Sequence, residues 1–459
     1  MRPSRPIRRR RLLQAALLPL VPAAARAAAA PLAPEALRAD LALWRRAVLE
    51  RHPRWHGATQ LDADAEAAFA RARAALQRPM GHREAFGVLS QVNPGLRDGH
   101  TLLMPWLDGR PPGEAERARR FPLGLDLGAD GSLRLRSHWR HAATGLELRA
   151  GSALVRVNGV EAGALLDRLQ LHSHGETALL RRYLLTLMWP HWLQALLGWQ
   201  DRFELRLRDA TGAERDATWQ ADDPWQATQP PPQQPTLSLP DATTGWLRVP
   251  TLDVDEDPGA FRAALRAAFA TLRRAGATRL VIDLRGNTGG QSEAGAEVLR
   301  PLLDRPVAQV SQARERLNAD NNGWFGWRGA PGTLRELDVA RDGTVQPLPA
   351  AERWRGRTVA LVDELTYSAA LLLATTLQDH RLATLVGRPS GGFANQTGNM
   401  VATRLPASGF TAFVATREFV RPSGDARARP LQPDIVVEPG APGADAPLQR
   451  ALAWLQAGA

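Results

Sequence analysis

The sequence predicts an α/β fold with a helical region in front of it and a small β-rich module between the two. Three observations lead there. First, strand-like and helix-like segments alternate in the second half: Trp246 to Val249 as a strand, Phe261 to Arg273 as an amphipathic helix and Arg279 to Leu284 as a buried strand. Thr358 to Val362, Ser368 to Leu377 and Leu382 to Val386 then repeat the strand–helix–strand order, and such repetition builds a partly parallel sheet covered by helices. Second, Leu37, Leu41, Leu43, Trp44 and Val48 recur at helical spacing near the front, with another helix suggested from Glu66 to Leu76. Third, residues 120–222 carry short alternating runs and turn signals rather than long helices.

The first thirty residues read as a targeting segment. Arg8 to Arg11 are basic, Leu12 to Leu20 begin an apolar run, and Ala25-Arg26-Ala27 is a small-x-small cleavage site. The run is too short to span a bilayer, which takes ~20 residues. Twin arginines ahead of Leu12-Leu13 match a twin-arginine export signal. The mature chain is therefore expected in the periplasm or secreted, without stable membrane insertion. This segment also explains the charge. The whole chain of 459 residues carries +11, but seven arginines and no acid lie in the first thirty positions, so the remainder carries only +4. No long basic run survives, and a nucleic-acid partner is not expected.

Residues 31–118 form the predicted helical domain; Pro94-Gly95 breaks its third helix, and Leu96-Arg97-Asp98-Gly99-His100-Thr101 follows as a loop. Residues 119–225 form the middle module. There "GSALVRVNGVEAGALLDRL" alternates through Leu154, Val155 and Val157, turns at Asn158-Gly159 and becomes helical. This resembles the later part of a PDZ-like domain, which takes an extended peptide by strand addition; a simple structural insert fits the same pattern. Residues 226–240, "QATQPPPQQPTLSLP", are a proline-rich linker. Residues 241–459 are the α/β core.

Two composition facts restrict the chemistry. There is no cysteine, which excludes disulfides and thiolate metal sites. All 58 basic residues are arginine, and arginine does not accept a proton near neutral pH, so any mechanism with a lysine base is excluded. The histidines show no metal spacing: His52 and His56 flank Pro53 without a third ligand, and His172 and His174 are two apart. Neither a metal nor a cofactor is implied.

Two glycine- or serine-bearing turns remain. "TRLVIDLRGNTGG" sets Gly286, Gly289 and Gly290 after a buried strand. Glycine lets backbone amides face a cleft, and an oxyanion-hole amide is typically worth ~2.7–4 kcal/mol. The turn matches neither nucleotide-binding glycine pattern. "VALVDELTYSAALLLATTL" is a second strand–turn–helix with Ser368 at or near the helix N-terminus, where amides and dipole favour developing negative charge. Taken alone, Ser368 reads as an N-cap, His100 as an ordinary loop histidine and Asp98 as a turn-former beside Gly99. Trp324 and Trp327 in "NNGWFGW" could line a cleft or cap the core.

Together, "LRDGHT", "DLRGNTGG", "LVDELTYSAA", "LVGRPSGG" and "LQPDIVV" occur in an order that resembles the tail-specific (carboxyl-terminal processing) serine peptidases. The resemblance covers most of residues 85 to 440 and is weak in the middle module. It implies a crotonase/ClpP-like α/β catalytic core and an endopeptidase acting on polypeptides. It also implies Ser368 as nucleophile, and an oxyanion hole from Ala369 with Gly289 or Gly290. The family splits by base. The lysine branch is closed here, since Phe393 in "GGFANQTGN" lies nearest the lysine position; the histidine branch carries its base in a segment like "DGHT", which points to His100. The family's glutamate, about six residues before Pro433-Asp434-Ile435, falls on Arg427. Asp425 is the nearest substitute, with Glu418, a dyad or a backbone carbonyl as the other ways to orient the imidazole. A catalytically weak binder of a peptide or apolar ligand on the same fold is the competing expectation.

Overall fold

The computed structural model describes residues 30–457 apart from 129, 222, 228–231, 324–327, 439 and 441–443. The targeting segment, part of the linker, and Trp324 and Trp327 lie outside the described residues.

Helices α1 (Pro34–Arg51), α2 (Ala63–Ala75) and α3 (His82–Leu89) form the front of the chain. Their apolar stripes bury Leu37, Trp44, Phe69, Phe86 and Leu89 together. Pro94 does not end this unit. It starts a last short turn, α4 (Asn93–Leu96), because proline is tolerated in the first turn of a helix. The chain leaves the helix at Arg97, whose φ of +49° is left-handed. A Cβ on Gly95 would lie 2.5 Å from that of Ala68, so this glycine lets α4 pack on α2. The chain then enters a two-residue strand, β1 (Leu102–Leu103).

The middle module is an antiparallel sheet of β2 (Leu125–Leu127), β3 (Leu133–Leu135), β4 (Ala153–Val157), β5 (Val160–Glu161), β6 (Arg202–Arg208) and β7 (Glu214–Gln220). Their order is β2-β3-β4-β6-β7, with β5 turned back on β4. Asn158 and Gly159 both take positive φ, +50° and +77°, as a two-residue hairpin turn requires. Helices α5 (Ala162–Leu169) and α6 (Ala178–Leu187) complete it, and its apolar face is continuous with that of the front helices.

The core opens with β8 (Thr236–Asp241) and β9 (Thr244–Arg248), followed by α7 (Pro258–Arg274), β10 (Arg279–Asp283) and α8 (Ser292–Leu299). Then come β11 (Gln312–Arg316), β12 (Arg357–Val362), α9 (Ala369–Asp379), β13 (Thr384–Gly387), β14 (Gln396–Arg404), β15 (Thr411–Val420), β16 (Ile435–Val436) and α10 (Ala446–Ala457). One sheet runs β8-β9-β10-β12-β13-β16, parallel except at β8. Successive side chains face opposite sides of it. Leu280 and Ile282 meet α7, α8 and α9, whereas Val281 and Val359 meet α10.

A second sheet was not legible in the sequence and proves decisive for the site. Strands β14 and β15 pair along their length, and β15 pairs at its two ends with β1 and β11. Leu102 stands opposite Phe413 and Leu103 opposite Ala412. Asp40 of α1 accepts the amides of Ala407 and Ser408 at the hairpin tip, at 3.1 and 2.7 Å. The front helices are therefore bound to the last third of the chain. Among the described residues no helix is long and apolar enough to cross a membrane.

Candidate active site

Ser368 sits between β12 and α9, with φ +51° and ψ −126°. A non-glycine residue held there is strained, and such strain persists only where the surroundings over-determine it. Asp363 supplies part of the hold: its carboxylate accepts the amides of Leu365 and Thr366, and of Gly286 from the neighbouring glycine turn. Tyr367 donates its amide to the Asn287 carbonyl at 3.0 Å, and Gln396 Nε2 donates to the Ser368 carbonyl at 2.8 Å. Although Ser368 is the N-cap of α9, its side chain makes no capping hydrogen bond. The hydroxyl that a capping serine would spend on the helix instead lies 3.2 Å from His100 Nε2.

The glycine turn runs against this corner. A Cβ on Gly289 would come within 2.7 Å of the Ala369 nitrogen and 2.8 Å of Ser368 Cβ, and Gly289 itself holds φ +98°. Only glycine fits. Its amide is already given to Asn287 Oδ1 at 2.9 Å. The amides of Gly290 and Ala369, in contrast, make no hydrogen bond among the described residues.

His100 is delivered by the loop between α4 and β1, and pairing of β1 with β15 fixes where that loop ends. The imidazole is buried, at 8% exposure. Burial lowers its pKa, and the charge of Asp98 opposes that shift. Asp98 Oδ1 accepts the His100 amide at 2.7 Å, which is the turn-forming role expected of it. Its other oxygen does something the sequence did not suggest: Oδ2 meets His52 Nε2 at 3.1 Å and accepts from Thr397 Oγ1 at 2.8 Å. Burial pushes the Asp98 carboxyl up, but the His52 hydrogen bond and the neighbouring charges outweigh it and hold the group well below the usual carboxylate range.

His100 Nδ1 faces two hydroxyls, Tyr367 Oη at 3.3 Å and Thr397 Oγ1 at 3.4 Å. The Tyr367 ring stacks on the imidazole with centroids 5.2 Å apart. It fits there because Gly99 and Gly392 have no side chains; a Cβ on either would strike it, at 2.0 and 2.5 Å. Tyr367 Oη donates to Glu176 Oε1 at 2.9 Å. Burial and the Asp98 charge push the Glu176 carboxyl up to about 8. His174 is buried beside these groups, and burial pulls its pKa down to about 3.

The structure thus brings Ser368, His100, Ala369, Gly289 and Gly290 to one corner. It does not bring Asp425 there. That carboxylate is held by Arg427 and Arg429, each at 2.7 Å, in the loop after β15. Glu418 is paired with Arg314. Local arginines two and four positions away capture Asp425 before it can serve a distant imidazole. His172 Nδ1 is 2.8 Å from Ser90 Oγ, and no group of three metal-ligating side chains occurs among the described residues. Tyr367, Thr397, Glu176 and His52 were missed as site residues. One signal was available for Tyr367, namely glycines at both 99 and 392, which leave room for a ring.

The model of peptidase family S41 matches residues 243–437. A carboxyl-terminal-processing protease from Picosynechococcus sp. is 35% identical over 121 residues, covering 26% of this chain and 23% of that protein. A chloroplastic C-terminal processing peptidase from Tetradesmus obliquus is 29% identical over 201 residues, covering 42% of this chain and 35% of that one. The chain thus spans between about a quarter and a third of the length of these curated relatives. Among solved structures, mature CPAF superposes with a TM-score of 0.62 at 16% identity, covering 92% of this chain and 96% of its own. Mature CPAF complexed with lactacystin gives 0.64 at 16% identity, covering 92% and 97%. At that identity the likeness establishes a common fold and nothing further.

Proposed function

The chain belongs to peptidase family S41, and on that premise we propose that it is an exported serine endopeptidase working through Ser368 and His100. The observation that carries this reading is the 3.2 Å approach of Ser368 Oγ to His100 Nε2 across 268 positions of sequence. In the first step Oγ attacks the scissile carbonyl carbon while its proton passes to Nε2. The oxyanion is received by the amides of Ala369 and Gly290, which are free to donate, rather than by Gly289, whose amide is engaged. Collapse breaks the C–N bond, and Nε2 returns the proton to the leaving amine. Water then attacks the acyl ester by the same route in reverse order and releases Ser368.

The core reads as a crotonase/ClpP-like catalytic domain, and the β2–β7 sheet as a PDZ-like module offering an edge to an extended substrate. The substrate class, polypeptides, follows from the processing-protease relatives. Export rests on the basic and apolar pattern of residues 1–30.

A second reading, a ligand-binding protein with weak or no turnover, is favoured by one observation: among the described residues no carboxylate bonds directly to His100 Nδ1. A fluorophosphonate probe separates the two. The peptidase is labelled, and Ser368→Ala and His100→Ala each lower labelling and peptide hydrolysis ~10³-fold or more. Folded wild-type protein that takes up no label removes the peptidase reading.

A further inference from the structure

We propose that Asp98 replaces the missing acid of the catalytic triad, acting on His100 through the Thr397 hydroxyl as a positioning pair. The inference rests on the peptidase reading of Ser368 and His100. It starts from hydrogen counting. Thr397 Oγ1 has one hydrogen and gives it to Asp98 Oδ2 at 2.8 Å. Toward His100 Nδ1, 3.4 Å away, that oxygen can therefore only accept. Tyr367 Oη is in the same condition, having given its hydrogen to Glu176 Oε1. Both neighbours require the imidazole proton on Nδ1, which leaves the Nε2 lone pair on the side of Ser368 Oγ. A triad carboxylate does the same work by direct contact; here a hydroxyl is interposed.

The two carboxylates behind these hydroxyls are not equivalent. Asp98 has three donors, His52, the His100 amide and Thr397, and all are present whatever the state of the imidazole. Glu176 is buried, its Oε2 makes no hydrogen bond among the described residues, and burial and the Asp98 charge outweigh the nearby Glu176 and Gly99 amides and the Tyr367 hydroxyl in disfavouring its ionisation. A buried carboxylate with one unsatisfied oxygen beside an ionised one is the member that stays neutral. Asp98 is therefore the charge that stabilises the imidazolium formed when His100 takes the serine proton. Thr397 stands at the start of β14, the strand that pairs with β15, so one sheet positions both the relay hydroxyl and, through β1, the histidine loop.

The test compares wild type with Thr397→Val, Thr397→Ser, Asp98→Asn, Ser368→Ala and His100→Ala, using a fluorogenic peptide and fluorophosphonate labelling. Thr397→Val keeps the shape and removes the hydroxyl; kcat is expected to fall at least ~10-fold with KM within about twofold. Thr397→Ser, which restores the oxygen, recovers most of that loss. Asp98→Asn removes the charge that raises the His100 pKa, while His52, His174, Tyr367 and Glu176 still surround the ring. The acid limb of kcat/KM therefore moves to lower pH. Thr397→Val with unchanged kcat, in a background where Ser368→Ala and His100→Ala abolish labelling, overturns the relay and leaves the peptidase intact. Labelling that persists in Ser368→Ala overturns both.

Discussion

Two buried titrating groups meet at the corner where Ser368 lies, and they pull the pH response in different directions. In the proposed mechanism His100 must be neutral to act as base, and burial holds its pKa below the ordinary 6.5. The acid limb of kcat/KM is therefore expected below pH 6.5 in a steady-state titration. Glu176 is the reverse case. Its folded pKa of about 8 stands above the ordinary 4.5, so the folded state binds the extra proton between those values and stability falls as pH rises through that window. Glu176→Gln removes this term. The melting temperature of wild type relative to the variant should decline from pH 4.5 to about 8 and stay level above it. Ser368 and His100 were legible because each sits in a short motif whose neighbours name it. Tyr367, Thr397 and Glu176 were not, since their partners lie between 191 and 299 positions away and no local pattern records such a meeting. The Asp425 expectation failed for the opposite reason: sequence proximity to the family's acid position said nothing of the two arginines that claim it.

At the scale of elements, the corner between β12 and α9 is shaped by the glycine turn pressed against it. Gly289→Ala meets two penalties, a positive φ and a 2.7 Å clash with the Ala369 backbone. A residue forced into such a conformation costs on the order of 1–3 kcal/mol. The variant should melt lower and lose labelling more than it loses helix content by circular dichroism. The strand–helix alternation of the α/β sheet was readable in advance, with ends displaced by only a few residues, since buried strands and amphipathic helices follow periods of 2 and 3.6. Strands β14 and β15 escaped notice. Their alternation mixes Thr, Asn and Arg with apolar residues, because the face that meets the front helices through Ala412 and Val414 also carries Thr397 of the site.

Across the whole molecule, the histidine and the serine belong to parts of the chain joined by β1 on β15, by Asp40 on the Ala407 and Ser408 amides and by Asp98 on Thr397. Met104 donates its amide to the Thr411 carbonyl at 3.0 Å, just past that pairing. Met104→Pro deletes this donor and loosens the loop end without touching the α/β sheet. A displacement near 1 Å can cost ~100-fold in rate, so kcat should fall at least ~10-fold while the variant still unfolds cooperatively. Full retention of kcat would show that the loop is held by its own turn and by the Asp98 contacts to His52 and Thr397, without this strand-end bond. The division of labour has a consequence for biosynthesis. The imidazole emerges from the ribosome early and the hydroxyl late. Thr397 and the strand that braces the histidine loop are later still. A chain made only as far as Ser368 therefore holds the serine and histidine of the proposed hydrolase without the alignment that joins them, and the cell that synthesises it is spared a cutting tool until nearly the last strand has been threaded into place.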